Sequence, residues 1–216
     1  MHIKERQDIH DFRVVGINYK KTDAAIRGLF AIGNEQYDQL LSNAAAIGLT
    51  DIFVLSTCNR TEIYGFAPDA RQLADLICSV AEGDVDTFIG ISYAKNGCAA
   101  MEHLYHVAAG LDSQILGDYE ILGQIKKSVK HAKDQGFIGV FMERFVNSVL
   151  QASKAIKTNT SLSDGTVSVS FAAMQYIRYR WKIAVTSALC QLNHALDIGL
   201  IQVPFQAISV RIDAGL

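Results

Sequence analysis

The chain has 216 residues, of which 50% are hydrophobic and 19% are charged, and its formal net charge is -2. This composition is typical of a soluble globular protein of one or two domains, with enough length to bury a core. No basic tail or acidic block of the kind that binds nucleic acid or a membrane surface is present, although a local Lys/Arg patch would be enough to bind nucleic acid.

The first half of the chain alternates strand-like and helix-like segments. This order predicts an α+β fold, namely a ferredoxin-like βαββαβ sandwich with an antiparallel sheet, followed by a helical extension. Asp23 and Asn34 are predicted N-caps, and Gly48 is a predicted C-terminal stop. The predicted elements are a strand at 12–19, helices that begin at Asp23 and Asn34, strands at 51–57 and 61–67, a helix at 69–81 and a strand near 87–93.

From Gly97 onward the pattern is helical almost throughout. Residues 118–136 predict an amphipathic helix, because apolar residues recur at i, i+1, i+4 and i+8 from Ile121 with lysines on the opposite face. Residues 141–160 predict another helix, and a further one begins after Gly165.

The last 36 residues, 181–216, differ from the rest because they contain only four charged side chains. Polar residues interrupt their apolar character too often for a membrane span, so no membrane segment is predicted. The interrupting residues are Gln191, Asn193, His194 and Asp197.

Cysteine usage predicts a free thiol. None of the four cysteines, at positions 58, 78, 98 and 190, belongs to a C-x-x-C pair, and this spacing argues against zinc. The N-terminus lacks the apolar segment of a signal peptide. We therefore expect a cytoplasmic, reducing setting in which Cys58 carries a free thiol.

The stretch "VLSTCNRTEIYG" places Cys58 in a short turn between two predicted strands. A cysteine at an arbitrary position is most often a buried apolar residue. Here Arg60 adds a positive charge that favours a thiolate or holds a substrate carboxylate, and a tight turn exposes side chains. The pattern predicts a cysteine-dependent enzyme in which both Cys58 and Arg60 are exposed.

A nucleophilic cysteine needs an acid–base partner, and histidine is the usual one. His103 and His106 are spaced i, i+3 on a predicted helix. Without a third ligand in view we predict no metal site, and we expect one histidine to face a cleft and the other to be packed or exposed.

The glycine-punctuated stretch "GLDSQILGDYEILGQ" contains neither G-x-x-x-x-G-K-[ST] nor G-x-G-x-x-G, and both motifs are absent from the whole chain. Its simplest interpretation is a helix-turn-helix corner that is capped by Asp112 or Ser113.

Three blocks together, "STCNRTEIYG", "HLYHVAAGLDSQILGDYEILGQIK" and "QASKAIKTNTSLSDGTVSVSFAA", resemble the N-terminal catalytic domain of the glutamyl-tRNA reductase family in order and spacing. The resemblance covers about residues 12–180. It implies a catalytic domain at 1–160 and the start of a linker helix toward a Rossmann domain at 161–180. Residues 181–216 then form a divergent tail, which is either a frame-shifted or an unrelated ending.

The resemblance implies a role for each matching residue. Cys58 would attack glutamyl-tRNA and form a thioester, with His103 as the catalytic histidine. His106 has no counterpart in the family, so we expect it to be packed. Arg60 would bind the glutamate carboxylate, a role that suits a guanidinium because its two N–H groups can bind both oxygens of a carboxylate. Position 118 departs from the family's glutamate but keeps a carboxylate. The implied substrate-binding residues are Thr57, Asn59, Arg60, Ser113, Asp118, Glu120 and Gln124.

The family's reaction continues with NADPH, which reduces the thioester to glutamate-1-semialdehyde in tetrapyrrole (porphyrin) biosynthesis. Because G-x-G-x-x-G is absent, we expect no NADPH site in this chain, which would then be limited to acyl transfer and hydrolysis. The family also implies a homodimer, whose dimerisation domain is not expected here, and the aminomutase that follows as a partner. Two alternatives stay open: a non-catalytic module that binds charged tRNA or the aminomutase, and a non-functional truncated product.

Overall fold

A computed structural model describes residues 8–114, 116–118 and 120–160. Within these ranges, four strands and seven helices follow a short 3-10 turn at Ile9–Asp11. In chain order they are β1 (Phe12–Asn18), α1 (Ala24–Gly28), α2 (Asn34–Ala46), β2 (Ile52–Thr57), β3 (Arg60–Phe66), α3 (Ala70–Cys78), α4 (Val85–Ile91), β4 (Tyr93–Asn96), α5 (Gly97–Ala108), α6 (Glu120–Asp134) and α7 (Val140–Asn159).

The four strands form one sheet in the order β2-β3-β1-β4, and every neighbouring pair is antiparallel. β2 and β3 form a hairpin whose last pair is Thr57 with Arg60, so Cys58 and Asn59 make the turn. The predicted antiparallel sheet and this hairpin are confirmed. β2 lies at one edge of the sheet, with its outer side unpaired by any other described strand.

Both faces of the sheet are covered. Every residue of β3 except Phe66 is buried, and so is every residue of β1 except Arg13. Because successive strand side chains point to opposite faces, such continuous burial requires packing on both sides. Side chains on these two central strands therefore lie in a dry layer.

An aromatic cluster fixes α7 to the sheet. The Phe12 ring lies 5.5 Å from Phe66, its neighbour on β3, and 5.3 Å from Phe145 of α7, measured between ring centroids. Phe141, one helical turn before Phe145, contacts Phe66 edge-on at 5.3 Å. Such tilted and edge-on pairs add to the stabilisation that comes from burial alone.

The capping predictions have mixed outcomes. Asp23 is the N-cap of α1, where its side chain accepts from the Ile26 N–H, and Gly48 follows α2 with φ +79°, so both predictions are confirmed. The prediction for Asn34 is wrong. Gly33 occupies the N-cap of α2, and its N–H donates to the Gln36 side chain at 2.8 Å.

The last predicted strand, near residues 87–93, is misplaced. Most of that segment is helix α4, and the strand β4 begins only at Tyr93. Asp84 caps this helix by accepting from the N–H and the hydroxyl of Thr87. Only Phe88 of α4 is fully buried, with its ring 5.0 Å from Phe30, whereas Ile89 is 41% exposed. The apolar composition predicted a strand, but a single inward-facing aromatic is enough to attach one short helix.

The predicted helix after Gly165 and the predicted segments 161–180 and 181–216 lie outside the described residues. Among the residues that the structure does describe, no helix is both long enough and apolar enough to cross a membrane.

Replacing Phe12 should measure the strength of the aromatic cluster. Phe12 is fully buried, so Phe12→Ala should lower the free energy of unfolding by about 3–5 kcal/mol and the melting temperature by roughly 10 °C. Val140→Ala is the matched control on α7, because Val140 is 66% exposed and its truncation should have little effect. Equal melting temperatures for the two variants, measured by circular dichroism, would contradict the packing described here.

Candidate functional site

A buried carboxylate lies at the centre of the sheet. Glu62 of β3 is 0% exposed and faces Gly16 of β1, which in turn faces Tyr93 of β4. Because Gly16 has no side chain, the Tyr93 hydroxyl reaches across β1 and donates to Glu62 Oε1. A Cβ at Gly16 would lie 2.7 Å from Glu62 Cγ, so this glycine makes the room in which the two side chains meet.

Four side chains donate hydrogen bonds to Glu62. Arg60 and Tyr64 flank it at alternate positions of β3, and alternate positions share a face of the sheet. Arg60 Nη1 lies 2.9 Å from Glu62 Oε1, and the Tyr64 hydroxyl lies 2.6 Å from Oε2. From α5, His103 Nε2 lies 2.9 Å from Oε1, and Tyr93 is the fourth donor. All the oxygens of this buried acid are therefore satisfied.

This environment keeps Glu62 ionised. Burial raises the pKa of Glu62, but the charge of Arg60 and the hydrogen bond from His103 outweigh it and lower the pKa to about 2. An ionised carboxylate only accepts hydrogen bonds, so His103 Nε2 carries the hydrogen. In the neutral imidazole this leaves Nδ1 as the basic nitrogen, as in other carboxylate-oriented histidines.

Asp112 is a second carboxylate on the same guanidinium. Arg60 Nη1 lies 3.1 Å from Asp112 Oδ2, Arg60 Nη2 donates to the Asp112 carbonyl, and Lys20 Nζ forms an ion pair with Asp112 Oδ1. Burial raises the pKa of Asp112, but the hydrogen bond from Lys20 and the charge of Arg60 lower it overall. The prediction that Asp112 or Ser113 caps a helix is wrong, because α6 begins only at Glu120, where Asp118 Oδ1 accepts from the Glu120 N–H.

The expected exposure of Arg60 is also wrong. Arg60 is 2% exposed, and its guanidinium lies beneath the Asp112 loop. The reason is strand pairing. Residue 60 is already in β3, opposite Thr57 on one side and Asn18 on the other, and its side chain follows Glu62 and Tyr64 into the buried layer. Two carboxylates neutralise its charge there, as a buried guanidinium requires.

Cys58 is exposed, as predicted, on a turn that several hydrogen bonds hold in place. The Asn59 N–H donates to Thr57 Oγ1 at 3.2 Å, and the Asn59 carbonyl accepts from the Tyr19 N–H at 2.9 Å. Arg27 Nε lies 3.2 Å from the Cys58 carbonyl oxygen. The cation that directly contacts residue 58 is therefore Arg27 of α1, which is distant in sequence.

Tyr19 connects this turn to the predicted substrate-contacting loop. Its hydroxyl donates to the Ser113 carbonyl at 3.1 Å, while its backbone N–H holds Asn59. The structure therefore places Thr57, Cys58 and Asn59 beside the loop of Ser113. Arg60 and His103 lie in the buried layer with Glu62.

The remaining predicted substrate-binding residues lie on α6 and just before it. Asp118 is partly buried and Glu120 is exposed. Gln124 lines a cavity of about 470 Å³ along β2. Within the described residues, no hydrogen bond joins any of these three to Arg60 or His103, so their roles remain predictions.

A group of possible metal ligands is present in the described residues. One oxygen each of Glu62 and Asp112 and one nitrogen of His103 all lie within 4.8 Å of one another. Arg60 Nη1 already contacts Glu62 at 2.9 Å and Asp112 at 3.1 Å, so its positive charge occupies the position that a metal ion would need. The cluster therefore does not fit a metal while Arg60 is in place.

His106 takes no part, and its predicted packing is wrong because its side chain is 53% exposed.

Sequence reasoning missed Glu62, Tyr93, Gly16 and Asp112. A signal for the first was available, because Glu62 is the one acidic residue in the otherwise buried run "RTEIYG". An acid within a strand that is buried on both faces needs partners that compensate its charge. For Tyr93 and Gly16 no local signal existed, since their role arises only from the register between β1 and β4.

Comparison with known proteins gives a consistent result. Residues 15–160 match the family model described as "Glutamyl-tRNAGlu reductase, N-terminal domain". Glutamyl-tRNA reductase of Flavobacterium psychrophilum is 50% identical over 166 residues, and that of Christiangramia forsetii is 48% identical. Each match covers 77% of this chain and 40% of the relative. The chain therefore spans about two fifths of the length of these curated relatives.

A solved structure is similar as well. Glutamyl-tRNA reductase from Methanopyrus kandleri superposes with a TM-score of 0.62 at 26% sequence identity. The match covers 77% of this chain and 39% of that structure's chain.

The ionisation of Glu62 should be visible in the acid stability of the protein. Its folded pKa of about 2 lies below the ordinary value of 4.5, so its contribution of about 3 kcal/mol is complete above pH 4.5 and is lost as pH falls through 2. Glu62→Gln should remove this part of the pH dependence of unfolding, measured by urea titration between pH 2 and 6. Asp69→Asn is the control, because it removes an exposed carboxylate while keeping the cap of α3. An unchanged slope in Glu62→Gln would show that Glu62 is not ionised in the folded protein.

The thiols should differ in reactivity. Cys58 and Cys98 are exposed, whereas burial raises the pKa of the Cys78 thiol to about 11, so iodoacetamide should modify Cys78 slowest of these three. We expect Cys58 to react fastest, because the adjacent Arg27 guanidinium stabilises negative charge. Arg27→Gln should slow Cys58 roughly threefold and leave Cys98 unchanged, as measured by peptide mapping. Equal slowing of both thiols would assign the effect to something other than Arg27.

Proposed function

The chain belongs to the family of the glutamyl-tRNA reductase N-terminal domain, and we propose that it performs the acyl-transfer half of that enzyme's reaction, within tetrapyrrole biosynthesis. The observation that carries this proposal is the position of Cys58. It is an exposed thiol on a hydrogen-bonded turn directly before β3, which carries Arg60 and Glu62 of the buried cluster, while His103 joins the cluster from α5.

In the proposed step, the Cys58 thiolate attacks the ester carbonyl of glutamyl-tRNA. A carbon–sulfur bond forms, the carbon–oxygen bond of the ester breaks, and the terminal hydroxyl of the tRNA leaves after it receives a proton. His103 is the proposed acid–base group, because Glu62 fixes Nε2 as a donor and leaves Nδ1 to accept the thiol proton and return it to the leaving oxygen.

Arg60 is the proposed partner of the substrate's side-chain carboxylate. In the structure Asp112 occupies this position on the guanidinium, and its side chain is 14% exposed. The loop that carries Asp112 lies between Gly110 and Gly117, which both have positive φ. Exchanging one carboxylate for another would keep the buried guanidinium neutralised, which supports substrate entry by displacement of Asp112. Thr57 and Ser113 would border the bound glutamyl group.

NADPH does not fit the described residues. Their sheet is entirely antiparallel, whereas a dinucleotide site needs a glycine-rich turn between a parallel strand and a helix, and G-x-G-x-x-G is absent from the sequence. We therefore assign no hydride transfer to these residues. Reduction of the thioester to glutamate-1-semialdehyde would use NADPH bound outside residues 8–160.

Several further predictions belong to this proposal. The strand order β2-β3-β1-β4, with α1 and α2 before the hairpin and α3 and α4 after it, supports the ferredoxin-like fold. A cytoplasmic setting is expected from the cysteine usage and the N-terminal sequence. The aminomutase is expected as a partner from the family resemblance alone, and so is the family's homodimer, whose dimerisation domain is not expected in this chain.

Labelled glutamyl-tRNA tests the proposal directly. The 216-residue chain should acquire hydroxylamine-sensitive label and slowly release free glutamate, with no aldehyde formed when NADPH is added. Cys58→Ser should abolish the label, and Cys98→Ser, which alters another exposed thiol, should not. His103→Gln should slow acylation by a factor of about 10² or more.

The alternative outcomes are distinct. Tight binding of glutamyl-tRNA without any label would favour the non-catalytic binding module. Label that persists in Cys58→Ser would overturn the role of Cys58, and NADPH-dependent aldehyde from this chain would overturn the restriction to acyl transfer.

A further inference from the structure

A cavity of about 470 Å³ runs along the outer edge of β2, between that strand and α6. Two side chains occupy part of this edge: the Val54 N–H donates to the Tyr37 hydroxyl at 2.7 Å, and Ser128 Oγ donates to the Val54 carbonyl. The cavity continues past Val54 to Ser56. Its volume is within the usual range for a site that binds one small organic group.

The lining combines apolar and cationic groups. Ile32, Tyr37 and Leu55 supply apolar surface, and Gln124 supplies an amide. Lys127 supplies positive charge, since within the described residues it forms no ion pair. Lys130 and His131 of the lining contact acids: Lys130 contacts Asp134, which also lines the cavity, at 2.5 Å, and His131 contacts Asp38 at 2.6 Å.

The N-terminus of α2 adds to the positive potential. Gly33 and Asn34 line the cavity at the start of this 13-residue helix, where the helix dipole favours an anion, although the Gly33 N–H itself donates to the Gln36 side chain. Lys127 lines the same cavity from α6. An apolar wall beside a helix N-terminus and an unpaired lysine has the chemistry to hold a flat base together with a phosphate.

The position of the cavity relative to Cys58 indicates which nucleotide would bind. Ser56 lies two residues before Cys58 on the same strand, a separation of about 7 Å. In an aminoacyl-tRNA the ester joins the amino acid to the ribose of the 3′-terminal adenosine. When the ester carbonyl is at Cys58, the ribose, base and 5′-phosphate must lie within one nucleotide's length of it, and the cavity begins within that reach.

We propose that this cavity binds the 3′-terminal adenosine nucleotide of the acylated tRNA, with Lys127 and the N-terminus of α2 on its phosphate. The inference rests on the proposed function for the identity of the ligand, and on the geometry of the cavity for the site. Gln124, which lines the cavity, would then contact the nucleotide rather than the glutamyl group.

α6 offers a matched control for the test. Lys126 and Lys127 are adjacent, both are exposed, and neither forms an ion pair within the described part of the chain. Lys127 lines the cavity, whereas Lys126 lies on a separate groove between α6 and α7. Lys127→Gln and Lys126→Gln therefore remove the same charge from two different places.

The first experiment titrates the full chain with AMP and with adenosine, followed by NMR. AMP should bind more tightly than adenosine and should shift the amide signals of Gly33 and Ser56. Lys127→Gln should weaken AMP binding roughly fivefold, and Lys126→Gln should change it by less than about twofold. Equal effects of the two variants, no saturable AMP binding, or shifts confined to the groove of Lys126 would each overturn the site.

The second experiment measures acylation of Cys58 from two donors. With glutamyl-tRNA, Lys127→Gln should raise KM roughly fivefold with little change in kcat. With the α-methyl ester of glutamate, which has no nucleotide, the variant should equal wild type. AMP binding that depends on Lys127 without any KM effect would overturn the assignment to tRNA and indicate a free nucleotide. No acylation in wild type would refute the proposed function, while the AMP titration would still decide the cavity.

Discussion

The structure depends on keeping one carboxylate charged inside a dry sheet. Burial alone would protonate Glu62, and a protonated acid would no longer hold His103 as a hydrogen-bond donor through Nε2. The compensation comes from β3 itself, because Arg60 lies two residues away on the same face. The Arg60–Glu62 ion pair on β3 therefore keeps Glu62 ionised, while the positive charge of Arg60 balances the negative charge of Glu62. This stabilisation comes from residues of the sheet and not from water.

That requirement determines the surroundings of the site. The guanidinium has more donors than Glu62 can accept, and the remaining ones hold Asp112 at the surface. Asp112 forms an ion pair with Lys20, and the carbonyl of the adjoining Ser113 accepts a hydrogen bond from the Tyr19 hydroxyl. The loop after α5 is thus tied both to the buried cluster and to the turn that carries the thiol. Displacing Asp112 would loosen this loop and uncover Arg60 in a single movement.

The parts of the molecule that follow from nearby residues could be predicted from the sequence. The hairpin around Cys58 and the Asp23 cap depend on residues within a few positions, and both predictions are confirmed. The direction of Arg60 could not be predicted, because a turn signal does not say where β3 begins or which face its first side chain takes. The segment around Phe88 was predicted as a strand, because local composition does not reveal that only one of its side chains finds the core.

The missed site residues share one physical cause. Tyr93 and Glu62 are 31 positions apart, and they meet because Gly16, from a third strand, leaves a gap between them. Glu62 stands out locally as an acid in a buried run, but its partners do not, and only the register of two strand pairs brings the three residues together. A candidate nucleophile such as Cys58 can be identified from nearby residues, since it needs exposure and a turn. The groups proposed to set its acid–base chemistry are buried, and Glu62 stays charged there because Arg60 and His103 compensate its burial. His103 joins this cluster from α5, so the full compensation depends on contacts between distant segments of the chain.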